Sequence, residues 1–134
     1  MLSESSPFLR SLVEEFEREH IREKIFLESI TSLFNDGAEF RIIYDHLSPF
    51  ISRFFIHGTR EEFVMHKMKY CDAESHKKSH LELTDHLTVM IGNIEFKAHQ
   101  KTPAELWGEF CQKMANHIEN FDKPLYAEFK RHGL

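Results

Sequence analysis

Seven residues, His20, His57, Glu61, His76, His80, His117 and Asp122, carry the side-chain types with which proteins hold borderline first-row metals. They come mostly as short-range pairs. His57 and Glu61 stand four apart, as do His76 and His80, while His117 and Asp122 stand five apart. Residues four apart on a helix project from one face with Cβ atoms about 6 Å apart, so each such pair can reach one shared metal site. Seven donors are too many for a tetrahedral zinc and suit two metal ions. Imidazoles would then be the terminal ligands, and Glu61 and Asp122 would bridge, offsetting the repulsion between two close cations.

Donors so dispersed along the chain need several rigid elements to bring them together, and the apolar period supplies these at about 100° per residue. A first helix is predicted from Ser5 or Ser6 as N-cap, with Pro7 in its first position, to a stop at Asn35-Asp36-Gly37. Its stripe is Leu9, Leu12, Val13, Phe16, Leu27, Ile30 and Phe34, with His20 in the middle. A second helical region, about 38–68, has the stripe Ile43, Leu47, Phe50, Phe54, Val64 and Met68, which carries His57 and Glu61 inward and leaves His66 facing water. Pro49 predicts a kink or break near 46–48, because it lacks a donor and clashes one turn back.

A third helix is expected from Asp72 as N-cap to about Phe96, with Ala73, His76, His80, Leu83, Leu87, Met90 and Ile94 on one side. Thr102-Pro103-Ala104-Glu105 is a capping-box sequence that starts a fourth, whose inner face is read as Leu106, Phe110, Met114, His117 and Phe121. Five residues turn through about 140° on an α-helix, so His117 and Asp122 diverge unless the turn widens. Pro124 frees backbone groups one turn back and predicts a π-type turn near Asn120. The short connectors favour an all-α, antiparallel up-down-up-down four-helix bundle.

Composition narrows the function classes. At 134 residues the chain is read as a single domain, 1–134. Its net charge of −5 and the lack of a dense Lys/Arg run argue against nucleic acid as a partner. No window approaches the roughly 18 apolar residues of a membrane span, and the Ser-rich start does not read as a secretory signal. Cys71 and Cys111 form no CxxC, which argues against a disulfide framework and a thiolate metal site and favours a reducing, cytoplasmic setting. Thirteen Phe residues imply a thick aromatic core able to keep an internal site dry.

Taken in order, these motifs resemble the hemerythrin family in its bacterial single-domain form: an isolated His, then HxxxE, HxxxH and HxxxxD. Here they are His20, His57-Gly-Thr-Arg-Glu61, His76-Lys-Lys-Ser-His80 and His117-Ile-Glu-Asn-Phe-Asp122, and Met65, Tyr70 and Lys123 match further landmarks. The likeness covers about residues 12–126. It implies two iron ions, one held by His76, His80 and His117 and coordinatively full, the other held by His20 and His57 with one open position. Glu61 and Asp122 would bridge them together with an oxo or hydroxo group. Dioxygen would bind end-on at the open position, taking two electrons reversibly to become a hydroperoxide, with no net reaction and so no enzyme. Met114, Phe16 and Phe54 are candidates to line an apolar pocket there.

Some positions depart from the family. Glu23 follows His20 by three residues, where an apolar residue is usual; it is read as pointing to solvent or pairing with Arg22 or Lys24, the alternative being a carboxylate beside the open iron. Gly58 stands where an aromatic often follows the histidine, and His46, His86, His99 and His132 fit no part of the pattern and are expected at the surface or behind the ligands. The expected function is an oxygen carrier or store, or an oxygen- or redox-sensing input domain attached to an output signalling domain. A di-iron oxidase or peroxidase is the alternative, although the Glu-x-x-His pairs of such bundles are absent at the matched positions.

Overall fold

The computed structural model describes residues 7–98 and 100–134, and among them every regular element is helical. Four long helices, α1 (Pro7–Asn35), α2 (Phe40–Lys67), α3 (Ala73–Glu95) and α4 (Pro103–His117), are followed by a π-helical turn (Ile118–Asp122) and α5 (Lys123–Arg131). α1 packs on α2 and α4, and α3 packs on the same two, which makes a helical bundle. The expected cap at Ser5 or Ser6, and His99, lie outside the described residues. No described helix is long and apolar enough to cross a membrane.

The stripes bury as their period requires. Ile30, Phe34, Ile43, Leu47, Phe50, Phe54, Leu83, Leu87, Met90, Ile94, Phe110 and Met114 form one apolar cluster with Trp107. Leu9, Phe16, Val64, Met65, Met68, Leu125 and Phe129 form a second. Along each helix the metal-type donors fall between or beside these two clusters, so apolar residues close the polar centre from above and below. A fully buried Phe such as Phe16, Phe50 or Phe110 contributes roughly 2–3 kcal/mol, and this aromatic weight supports the cost of an interior rich in polar groups.

Three local expectations need correction. Of the kink or break expected near Pro49, the break is absent: α2 runs continuously through the proline, which lacks one backbone donor, and the fully buried Leu47 and Phe50 on either side hold the helix against the core. Asp72 precedes α3 but makes no side-chain cap; instead the Ser75 hydroxyl donates to the Asp72 carbonyl. On α4 the buried residue is Trp107 rather than Leu106, which is half-buried. Trp107 Nε1–H donates to Thr31 Oγ1 at 2.8 Å, and the ring stacks on Phe34 and Phe110.

The ends of the last helices are as expected. Thr102 and Glu105 form the reciprocal capping box. The widened turn is present, closed by the Lys123 N–H donating to the Ile118 carbonyl. Pro124 has no N–H for the Asn120 carbonyl, and this missing bond favours the local change of pitch.

Helices α1, α2, α3 and α5 end alike, in Schellman geometry. Ala38, Tyr70, Ala98 and Leu134 donate to Leu33, Met65, Asn93 and Phe129, and the residue before each donor has positive φ. Two of these are Gly37 and Gly133; the other two are Lys69 and Lys97, each at φ 54°. A lysine there costs about 1 kcal/mol relative to glycine. Lys97→Gly is therefore expected to raise the urea unfolding midpoint, by about 1 kcal/mol of stability. An unchanged or lower midpoint would show that Lys97 makes compensating contacts.

Candidate metal centre

All seven donors converge. Ligand atoms of Glu61, His76, His80, His117 and Asp122 lie within 4.8 Å of one another, as do those of His20, His57 and Glu61. Six of the seven are buried; His20 is half-buried, with its side chain 23% exposed. Each ring presents Nε2 to the carboxylates. His76 Nε2 is 3.3 Å from Glu61 Oε1 and 3.1 Å from Asp122 Oδ1, His80 Nε2 is 3.1 Å from Glu61 Oε1, and His117 Nε2 is 2.9 Å from Asp122 Oδ1. On the other side His57 Nε2 is 2.9 Å from Glu61 Oε2, and His20 Nε2 is 3.5 Å from Asp122 Oδ2. Each carboxylate thus turns one oxygen to each half. The π turn makes this possible by bringing Asp122 onto the face of His117.

Behind the rings stand groups that sequence reasoning missed. For Nε2 to bind a metal, Nδ1 must carry the proton, and three rings have an acceptor for it. His57 Nδ1–H donates to Glu19, which is also held by Arg60; His80 Nδ1–H donates to Glu62 at 2.9 Å; His117 Nδ1–H donates to Ser79 Oγ at 2.7 Å. Such outer partners set the tautomer and aim the ring. His76 Nδ1 is buried with no hydrogen-bond partner. The Tyr126 hydroxyl, also missed, donates to Glu61 Oε2 at 2.5 Å and lies 3.0 Å from His20 Nε2 and 3.3 Å from His57 Nε2. A signal for Glu62 and Glu19 did exist: each sits next to a donor, Glu61 or His20, on the flank of the inward stripe.

Crowding ionisable groups into a dry interior shifts them strongly. Burial opposes a charge on His57, but the Glu61 carboxylate and hydrogen bonds to Glu19 and Glu61 outweigh it and raise the ring to about 11. His76 is likewise raised to about 9, against burial, by Asp122 and Glu61. Glu61 is held well below the carboxylate range despite complete burial, by the charge and hydrogen bond of His57 and by the facing rings of His76 and His80. Asp122 is lowered too, against burial and the repulsion of Glu61, through His117, His20 and His76. Burial, then Glu61 and Asp122, push the Tyr126 phenol up, so it stays protonated.

Glu23 overturns its expectation. It is 4% exposed and points inward, and burial pushes its carboxyl up to about 7. The remaining histidines follow theirs where described: His46, His66 and His132 are exposed, and half-buried His86 stacks on Phe110. The ring of His80 lies over Gly58, where an added Cβ would stand 3.4 Å from Nδ1. An aromatic side chain there would have to turn away from the ring.

The donor set fits metal ions. Buried His76 Nε2 and Asp122 Oδ1 are near each other yet lack hydrogen-bonding geometry, as atoms aimed at a common third point would. The arrangement is a buried His/Glu/Asp cluster able to hold metal. No protein-family model matches the chain, and neither does any curated protein or solved structure.

Proposed function

We propose that the chain is a di-iron protein of the hemerythrin type that binds dioxygen reversibly, as carrier, store or sensing input domain, with its four long helices running alternately up and down. The observation that carries this is the two-sided presentation of Glu61 and Asp122, each with one oxygen toward His76, His80 and His117 or part of that set, and the other toward His57 or His20. Two-sided carboxylates suit a pair of ions better than one. His76, His80 and His117 would hold one iron and His20 and His57 the other, bridged by Glu61 and Asp122. When bound, a ferrous pair supplies two electrons that can pass to dioxygen and return.

The chain's own groups have defined tasks in this reading. Glu19, Glu62 and Ser79 hold three rings in the Nδ1–H tautomer, leaving Nε2 free. Tyr126 donates to Glu61 and fixes its orientation. Phe16 packs edge-on to His57, and Phe54 to His80, so apolar surface limits water near the centre. The free cysteines Cys71 and Cys111 suit the reducing cytoplasm. A second reading, a di-iron oxidase or peroxidase, is favoured by one observation, the third buried carboxylate at Glu23.

The test is anaerobic reconstitution with ferrous iron, followed by optical spectra on adding oxygen and then removing it. A charge-transfer band that appears with oxygen and disappears on its removal is expected. A permanent oxidised spectrum would exclude carriage, and failure to take up iron would sink the proposal. Glu62→Gln, which removes the charged acceptor behind His80, is expected to weaken iron binding about 10- to 100-fold in a competition with a chelator; wild-type affinity would free Glu62 of that task.

A further inference from the structure

We infer that Glu23 is an eighth protein ligand, given to the metal held by His20 and His57 in place of the position that would otherwise stay open; this rests on the di-metal reading above. Four buried side-chain atoms among the described residues have no hydrogen-bond partner. Three belong to His76 and Asp122, and the fourth is Glu23 Oε1. Two of those three, His76 Nε2 and Asp122 Oδ1, are donor atoms of the metal reading, and Glu23 Oε1 shares their state, as does His76 Nδ1 behind its ring. A buried carboxylate oxygen without a donor is costly unless a cation compensates it.

Its surroundings show which metal. After burial itself, the charged groups that act most on Glu23 are His57 and then His20, which attract its carboxylate, while Glu61 and Asp122 repel it. On α1 it follows His20 by three residues, hence on a neighbouring part of the same face. Glu23 also lines a cleft of 440 Å³ between α1 and α2, with Glu15 and Glu19 on its own helix and Arg53, Ile56 and Arg60 opposite. Glu15 and Glu19 are occupied by guanidinium or imidazole partners. Glu23 is the carboxylate of this row left for the interior. It stands outside the 4.8 Å group of His20, His57 and Glu61, so ligation needs a rotation of its side chain.

The charge balance agrees. Two divalent ions bring four positive charges, and Glu61 and Asp122 supply two negative ones, so a third carboxylate brings a buried centre nearer neutrality. An external anion must then displace Glu23 to bind. Azide titrated into the oxidised, iron-loaded protein reads this. Glu23→Ala is expected to bind azide about 10- to 100-fold more tightly than wild type, at equal iron content. In crystals of the wild-type chain loaded with zinc, a Glu23 oxygen is expected at about 2.0–2.2 Å from the ion beside His20 and His57. Equal azide affinities, with two irons per chain in both proteins, would overturn the assignment and leave the di-iron reading standing. A wild-type chain that takes up no metal pair would overturn both. If Glu23→Ala does not fold, the zinc-loaded wild-type crystal decides, and a carboxylate remote from the ion defeats the inference.

Discussion

If the chain holds the proposed iron pair, Glu61→Ala is expected to reduce uptake from two ions per chain to one or none, and to lose most of the thermal stabilisation that the metal would give. Glu61 is wholly buried, and its two oxygens meet His57 on one side and His76 and His80 on the other. Without it the pair loses a bridge and the orienting contact to Tyr126. An ion present at a thousand times its dissociation constant stabilises the fold by about 4 kcal/mol, which for a chain of this size means a rise of roughly 15 °C in Tm. The substitution also harms the metal-free protein, because it leaves protonated His57 and His76 without a main counter-charge. Breaking such a buried pair costs about 3–5 kcal/mol. Iron content and calorimetry on both proteins check this, and a variant that binds two irons with a wild-type rise in Tm would remove Glu61 from the centre.

The second large effect is on pH. A metal takes the Nε2 lone pair only after the ring has lost its extra proton. In the metal-free chain His57 titrates at about 11 and His76 at about 9, so between pH 7 and 9 each gives up one proton on binding. Two protons exchanged for metal make the apparent affinity rise about 100-fold per pH unit over that range, and about 10-fold per unit above it. Competition titrations at fixed free metal measure the slope, and a flat profile would show both rings already neutral.

The stability of the metal-free chain moves the other way. His57 and His76 are raised, so their contribution is complete below pH 6.5 and is lost as pH climbs through 9 and then 11. Glu61 and Asp122 are lowered, so theirs is present above the ordinary carboxylate range and is lost as acid protonates them. Glu23 is raised to about 7 and therefore costs stability as pH rises from 4.5 to 7. Together these place the optimum of the metal-free fold at mildly acidic pH, while metal uptake is strongest at alkaline pH. Urea midpoints with and without iron are expected to lie close together in acid and to separate as pH rises, because the added stability grows with metal affinity.

Much of this centre was open to reading along the chain because helix periodicity is local. The pairs His57/Glu61 and His76/His80 share faces wherever a helix forms, and Thr102 to Glu105 can cap only their own turn. Even the π turn had a local cause, in a five-residue spacing followed by Pro124. Trp107 was missed on α4 because its neighbour Leu106 fits an apolar stripe equally well, and the face that wins depends on the rings of Phe34, Phe50 and Phe110 around it.

Other features have no local cause. Glu19, Glu62 and Ser79 acquire their tasks from rings on other helices, 38, 18 and 38 residues away. Tyr126 reaches His20 across 106 residues. Glu23 shows the difference best. On its own helix it is a glutamate flanked by Arg22 and Lys24 with water as the natural surroundings, and only the packing of α2 against α1 turns it inward. Helical phase assigns each residue a direction about its own axis, but whether that direction meets solvent, a counter-ion or another carboxylate is settled by the position of the neighbouring helix. A charge's energy depends on that neighbour far more than on the turn it sits in.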